Sequence, residues 1–142
     1  CVAGERWIGA AGRATRFRGP YGGAAGCRPC ATLAEAELSC TSPEMLAAGD
    51  AAGWQRLHQA TRRTSYGGDC YAYGLLALGQ IDVVAEASMS LWDWAALVPI
   101  IEGAGGSLTD WRGQPLRPDS DGHTLAVGDA RLLGPAIALL EG

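Results

Sequence analysis

No lysine occurs in this chain of 142 residues; all eleven basic residues are arginine. That excludes a lysine Schiff base and a phosphate-loop lysine within these residues. No apolar run approaches the ~20 residues that span a bilayer, and no basic amphipathic stretch suggests a membrane surface. Positive charge is not in excess: the net charge is -4, which argues against nucleic acid as a partner. Histidine is scarce, with His58 and His123 standing alone. Cysteine is present but unpatterned, at Cys1, Cys27, Cys30, Cys40 and Cys70. The odd count and scattered spacing are not a disulfide framework. Cys27-Arg-Pro-Cys30 lacks the second ligand pair a zinc site needs. We expect free thiols in a reducing cytoplasm.

What is present is the punctuation of an α/β domain. Apolar residues make up 48%, with 21 Gly and 7 Pro. Residues 4 to 18 read as a hairpin turning at Ala10-Ala11-Gly12, and residues 19 to 30 as a Gly/Pro loop. Leu33 to Thr41 ends like a strand, and Thr41-Ser42-Pro43 leads into a short helix. Asp50 to Thr61 is helical, with Trp54, Leu57 and His58 on one face. Ser65 to Asp69 is a turn, and Cys70 to Leu78 a helix closed by Gly79. Ile81 to Ala87 is a buried strand. Ser90 to Glu102 is one helix with a capping-box start at Ser90 and Asp93. Its apolar stripe is Leu91, Trp94, Val98 and Ile101, and Pro99 kinks it near Ala95. Ser107 to Trp111 and Thr124 to Val127 are strands, and Arg131 to Leu140 a final helix. Strands alternate with helices after residue 30, so the class is α/β, with a mostly parallel sheet and helices on both faces. The opening at Cys1 falls inside a strand-like run, from which we expect the C-terminal part of a longer protein.

Three carboxylates are placed to converge. Asp93 lies in the first turn of a helix, where a cap or a partial Mg²⁺ ligand would sit. Glu86 ends a buried strand, where open α/β sheets bind ligands. Asp69 follows Gly67-Gly68, a turn that allows close backbone approach and anion binding, and it also suits a helix cap.

Trp92-Asp93-Trp94-Ala95-Ala96, followed by Glu102-Gly103-Ala104-Gly105-Gly106 and Thr109-Asp110-Trp111-Arg112-Gly113, resembles the C-terminal signature of the inositol monophosphatase superfamily. Arg28-Pro29-Cys30, Thr41 to Met45 and Tyr66 to Tyr73 look like its histidinol-phosphate phosphatase branch. Weaker similarity extends along the chain. The resemblance implies the C-terminal part of a layered α/β/α/β/α sandwich. Residues 1–30 would be a hairpin and loop left from the N-terminal sheet domain, and 31–142 the C-terminal α/β domain. It implies a phosphomonoesterase using two or three Mg²⁺ ions, hydrolysing histidinol phosphate in histidine biosynthesis. The alternatives are an inositol phosphate or other small phosphomonoester, and a non-catalytic module that kept the fold. Asp93 would be a metal ligand. Gly67, Gly68, Asp69 and Glu86 would hold the alcohol, which two acids would suit best if it were cationic. A basic residue expected two positions before the glycine pair is replaced by Ser65, so Arg63 or Arg62 is the substitute. The family's upstream glutamate and D-P-x-D-G-T motif do not occur, and Pro118-Asp119-Ser120-Asp121-Gly122-His123 is only an echo. The isolated 142 residues are therefore expected to be inactive. The expected partner is a small phosphorylated substrate, and a homodimer is compatible with the reading.

Overall fold

Glycine lets the first two strands lie directly on a helix. The computed structural model describes residues 4–142; Cys1, Val2 and Ala3, the start of the expected strand run, lie outside them. Strands β1 (Arg6–Ala10) and β2 (Arg13–Arg18) form an antiparallel hairpin with Trp7 opposite Phe17. A Cβ on Gly9 would lie 2.6 Å from the Ile100 backbone nitrogen, so only glycine allows this approach. The Thr15 hydroxyl donates to the Ile100 carbonyl at 2.7 Å, tying the hairpin to the helix beneath.

After the loop come β3 (Glu37–Cys40), α1 (Ala48–Ala60), β4 (Arg63–Tyr66), α2 (Asp69–Leu76) and β5 (Val83–Glu86). Then follow α3 (Leu91–Trp94), α4 (Leu97–Gly103), β6 (Ser107–Thr109), β7 (Thr124–Val127) and α5 (Ala130–Glu141). The second sheet has the order β4-β3-β5-β7-β6. Its β3 pairs parallel with β4 and β5, while β5 with β7 and β6 with β7 are antiparallel. The sheet is thus mixed but mostly parallel, as expected: β4, β3, β5 and β6 run one way and β7 alone runs against them. No helix crosses back between β6 and β7, and parallel strands need such a crossover.

Alternation along the strands divides the core. Leu38, Val83, Ala85, Leu125 and Val127 pack with Trp54 and Leu57 of α1 and with Leu132, Ala136 and Leu140 of α5. Val84 and Ala126 point the other way, onto Tyr73 and Leu76 of α2 and Leu97 and Ile101 of α4. The layers therefore run α1/α5, mixed sheet, α2/α4, hairpin: a layered α/β architecture. The position of β5 residues in this alternation sends Glu86 to the α2 side, with Val84.

Two local expectations change. The single helix over Ser90 to Glu102 is two helices, broken at Ala95-Ala96 one turn before Pro99. Trp94, Leu97 and Ile101 are its buried residues, whereas Leu91 is 41% exposed and leaves the expected stripe. Residues 63–66, read partly as a turn, form edge strand β4. No helix among the described residues is long and apolar enough to cross a membrane.

Candidate active site

Three element ends meet around one cavity of about 400 Å³, lined by Asp69 and Cys70 of α2, Glu86 at the end of β5, Trp92 and Asp93 of α3, and Thr41, Ser88 and Met89 between the elements. The three acids singled out from the sequence are therefore brought together. A larger concavity, about 620 Å³, lies along the hairpin. Its lining has Arg16 and Arg18 but no acid and no nucleophile, so the carboxylate pocket is the better chemical candidate.

Each acid is held differently. Glu86 is 4% exposed. Its Oε1 accepts from both the backbone N–H and the hydroxyl of Thr41, each at 2.7 Å. Its Oε2 faces the Cys40 thiol at 3.7 Å. Burial raises the Glu86 pKa, and the Thr41 and Cys40 donors only partly offset this. Burial, with Glu86 alongside, pushes the Cys40 thiol up to about 12, so it is no nucleophile. Asp93 Oδ2 accepts from the Ser90 N–H at 2.9 Å, half of a capping box that fixes the carboxylate on the first turn of α3.

Asp69 opens α2 with φ +43°, and Ser88 has φ +62°. Among the described residues these two alone are non-glycine residues with positive φ, and both line this pocket. Left-handed backbone outside glycine costs about 1–2 kcal/mol. Such strain persists where the surroundings over-determine it, and it gathers at functional sites.

Gly67 and Gly68 precede Asp69 and do not line the cavity. Gly67, at φ +77°, donates its N–H to the Thr41 carbonyl at 2.9 Å, joining the pocket ends of β3 and β4. A Cβ on Gly68 would lie 2.8 Å from that of Ala72. Arg63 is not brought to the pocket. It starts β4, opposite Glu37, while Tyr66 at the other end of the strand lies beside Cys40. Its guanidinium pairs with Glu37 at 2.5 Å, and Arg62 pairs with the same carboxylate.

Sequence reasoning missed Thr41 as the partner of Glu86, and Tyr73, whose buried hydroxyl meets the Thr124 hydroxyl at 2.8 Å. The Thr-Ser-Pro run that marks the end of β3 was the available signal for Thr41.

The donor set answers the metal question only in part. Among the described residues no group of three or more His, Cys, Asp or Glu side chains is arranged to hold an ion. Asp93 offers one carboxylate, and Mg²⁺ takes one or two with water and substrate oxygens. These residues fit one corner of a metal site and not a complete one.

A family model described as the inositol monophosphatase family matches residues 1–139. The bifunctional phosphatase IMPL2, chloroplastic, of Arabidopsis thaliana is 37% identical over 144 residues, covering 96% of this chain and 41% of that protein. A histidinol-phosphatase of Mycobacterium tuberculosis is 34% identical over 111 residues, covering 70% of this chain and 42% of that protein. The structure of an inositol monophosphatase from Zymomonas mobilis superposes with a TM-score of 0.91 at 40% identity, covering 97% of this chain and 53% of that one. The chain spans about half, or less, of the length of these relatives.

Proposed function

The chain belongs to the inositol monophosphatase family, and on that premise we propose that the whole protein is a magnesium-dependent phosphomonoesterase that hydrolyses histidinol phosphate to histidinol. The observation that carries the substrate is the convergence of Asp69, Glu86 and Asp93 on one cavity. Histidinol carries an ammonium and a titratable imidazole. Asp69 and Glu86, with the Gly67-Gly68 turn aiming Asp69, would hold that cationic alcohol. A neutral polyol gains less from a second buried carboxylate, which is costly unless paired.

Mg²⁺, two or three ions when bound, would activate a water and neutralise the phosphate and leaving oxygens. Asp93 is the residue of this chain that would hold it, and the remaining ligands would come from outside these 142 residues. The 142 residues alone are accordingly expected to release no phosphate. A reducing cytoplasm is the proposed compartment, since Cys27, Cys30, Cys40 and Cys70 are all free thiols.

Phosphate release by the whole protein, with Mg²⁺, on histidinol phosphate and on inositol 1-phosphate tests the reading. Asp69→Asn is expected to lose about tenfold on the cationic substrate, the scale of one carboxylate–cation contact in a wet pocket, and little on the neutral one. Equal losses on both refute the pocket assignment. A second reading, an inositol phosphate as the substrate, draws on the 40% identity to the Zymomonas mobilis inositol monophosphatase. Faster turnover of inositol 1-phosphate would establish it.

A further inference from the structure

His123 lies outside the carboxylate pocket, on the segment that packs behind its wall. Its Nδ1 is 2.9 Å from Asp121 Oδ1, and its Nε2 is 3.0 Å from Asp50 Oδ2 of α1. The second contact is an ion pair off the ring's donor axis, which leaves Nε2 without an aligned hydrogen bond. A neutral imidazole would set a lone pair near one of the two carboxylates, whereas the imidazolium places its positive charge between both. The ring also lies 4.6 Å from that of Trp111, whose Nε1–H donates to the Thr124 carbonyl at 3.1 Å. The groups around it are Asp50 from α1, Asp110 and Arg112 after β6, Asp121 on its own segment, and Glu141 of α5. Four acids and one base favour the cation.

The same segment grips the pocket. The Gly122 carbonyl accepts the Met89 N–H at 2.9 Å, and a Cβ on Gly122 would lie 2.9 Å from the Met89 carbonyl oxygen. Thr124 sits opposite Glu86 in the β5–β7 register. Ser88, one of the two strained residues, and Met89 both line the cavity.

We propose that His123 is a positioning residue: clamped between Asp50 and Asp121, it holds residues 121–124 against α1 and so fixes Ser88 and Met89 at the wall of the carboxylate pocket. The importance of that wall rests on the pocket being the substrate site; the clamp itself does not. Burial pulls the imidazole pKa down, but Asp50 and Asp121 outweigh it and raise the pKa above the ordinary value of 6.5. The sign follows: the clamp is fully made below about pH 6.5 and is lost as pH rises through the higher folded value.

Amide hydrogen exchange at Met89, in the metal-free whole protein at about pH 6 and about pH 9, tests this with no substrate present. After correction for the intrinsic pH dependence, Met89 protection is expected to fall about threefold or more at the higher pH. His123→Gln should show the lower protection at both pH values, and Asp50→Asn should weaken the pH response even if the first variant folds poorly. Protection that does not change with pH in the parent, or a His123→Gln profile equal to the parent's, overturns the proposal. Because phosphate release plays no part, a wrong substrate assignment would leave this outcome unchanged.

Discussion

Replacing Glu86 with glutamine separates what this side chain does for the fold from what it does for the site. The carboxylate is 4% exposed and accepts two bonds from Thr41. Bonds to a charged group contribute about 1.5–3 kcal/mol, against about 0.5–1.5 for neutral ones, so the amide forfeits about 2 kcal/mol over the pair. Against that stands the desolvation of a buried anion, several kcal/mol. The direction of the Glu86 pKa decides between them. It is raised, by burial above all, so the ionised form is less at home in the fold than in the unfolded chain. A carboxylate raised in this way gives its full stability below its ordinary value of 4.5 and loses it as pH rises through the folded value. Glu86→Gln is therefore expected to stabilise the whole protein near neutral pH by about 1 kcal/mol, a gain typical of relieving strain at a site. The melting temperature should rise by about 2–4 °C, and stability should fall less between about pH 4.5 and 7. Phosphate release from histidinol phosphate should drop at least about tenfold, because the charge proposed to face the cationic alcohol is gone. Thermal melts in metal-free buffer and a phosphate assay with Mg²⁺ read the two halves. A variant that melts below the parent, or one that turns over at the parental rate, refutes the reasoning.

Asp82→Ala is expected to destabilise. Asp82 is 1% exposed, is gripped by Arg28 at 2.8 and 2.6 Å, and accepts the Glu37 N–H at 2.8 Å. Truncation strands that N–H, while Arg28, whose side chain is 39% exposed, regains water, so about 2–4 kcal/mol is lost, below the full cost of breaking a buried pair. Burial would raise the Asp82 pKa, but Arg28 and the Glu37 N–H outweigh it and lower it. The stability it confers is thus present above the ordinary carboxylate value and is lost as pH falls through the lowered one. An unfolding free energy from urea titration within about 0.5 kcal/mol of the parent would contradict this. Ser88→Gly should stabilise by about 0.5 kcal/mol, the left-handed strain released less the entropy glycine brings. A lower melting temperature would show that the Ser88 backbone is not strained.

The parts of the fold that could be read from the sequence are those where local signals and tertiary demand agree. Val83 to Glu86 is a strand by composition, and α3 starts just after Ser90 because Asp93 completes its cap. Pro99 broke the following helix where a missing N–H and a clash one turn back require it. Strand β4 failed that test. Arg63-Thr64-Ser65-Tyr66 has no apolar alternation, and only Thr64 is even half-buried, so its conformation comes from pairing with β3 rather than from its own residues. The mostly parallel sheet was legible from the alternation of strands and helices, but the one reversed strand, β7, was not, because direction is set by connections and not by strand composition. The stretch between Thr109 and Thr124 forms no helix to carry the chain back across the sheet, and β7 returns antiparallel to β6. The site divides the same way. Asp69, Glu86 and Asp93 could be picked out because Asp69 begins a helix, Glu86 ends a strand and Asp93 lies in the first turn of a helix, and element ends are where an α/β sheet gathers its ligands. Their partners could not. Thr41 reaches Glu86 from a neighbouring strand, and His123 reaches Asp50 across to α1, pairings that depend on strand register and helix packing. Arg63 was placed near the site by its closeness in sequence to the glycine pair. A strand of four residues carries the chain roughly 10 Å, and that length leaves its guanidinium at the far edge of the sheet on Glu37, which holds both arginines there.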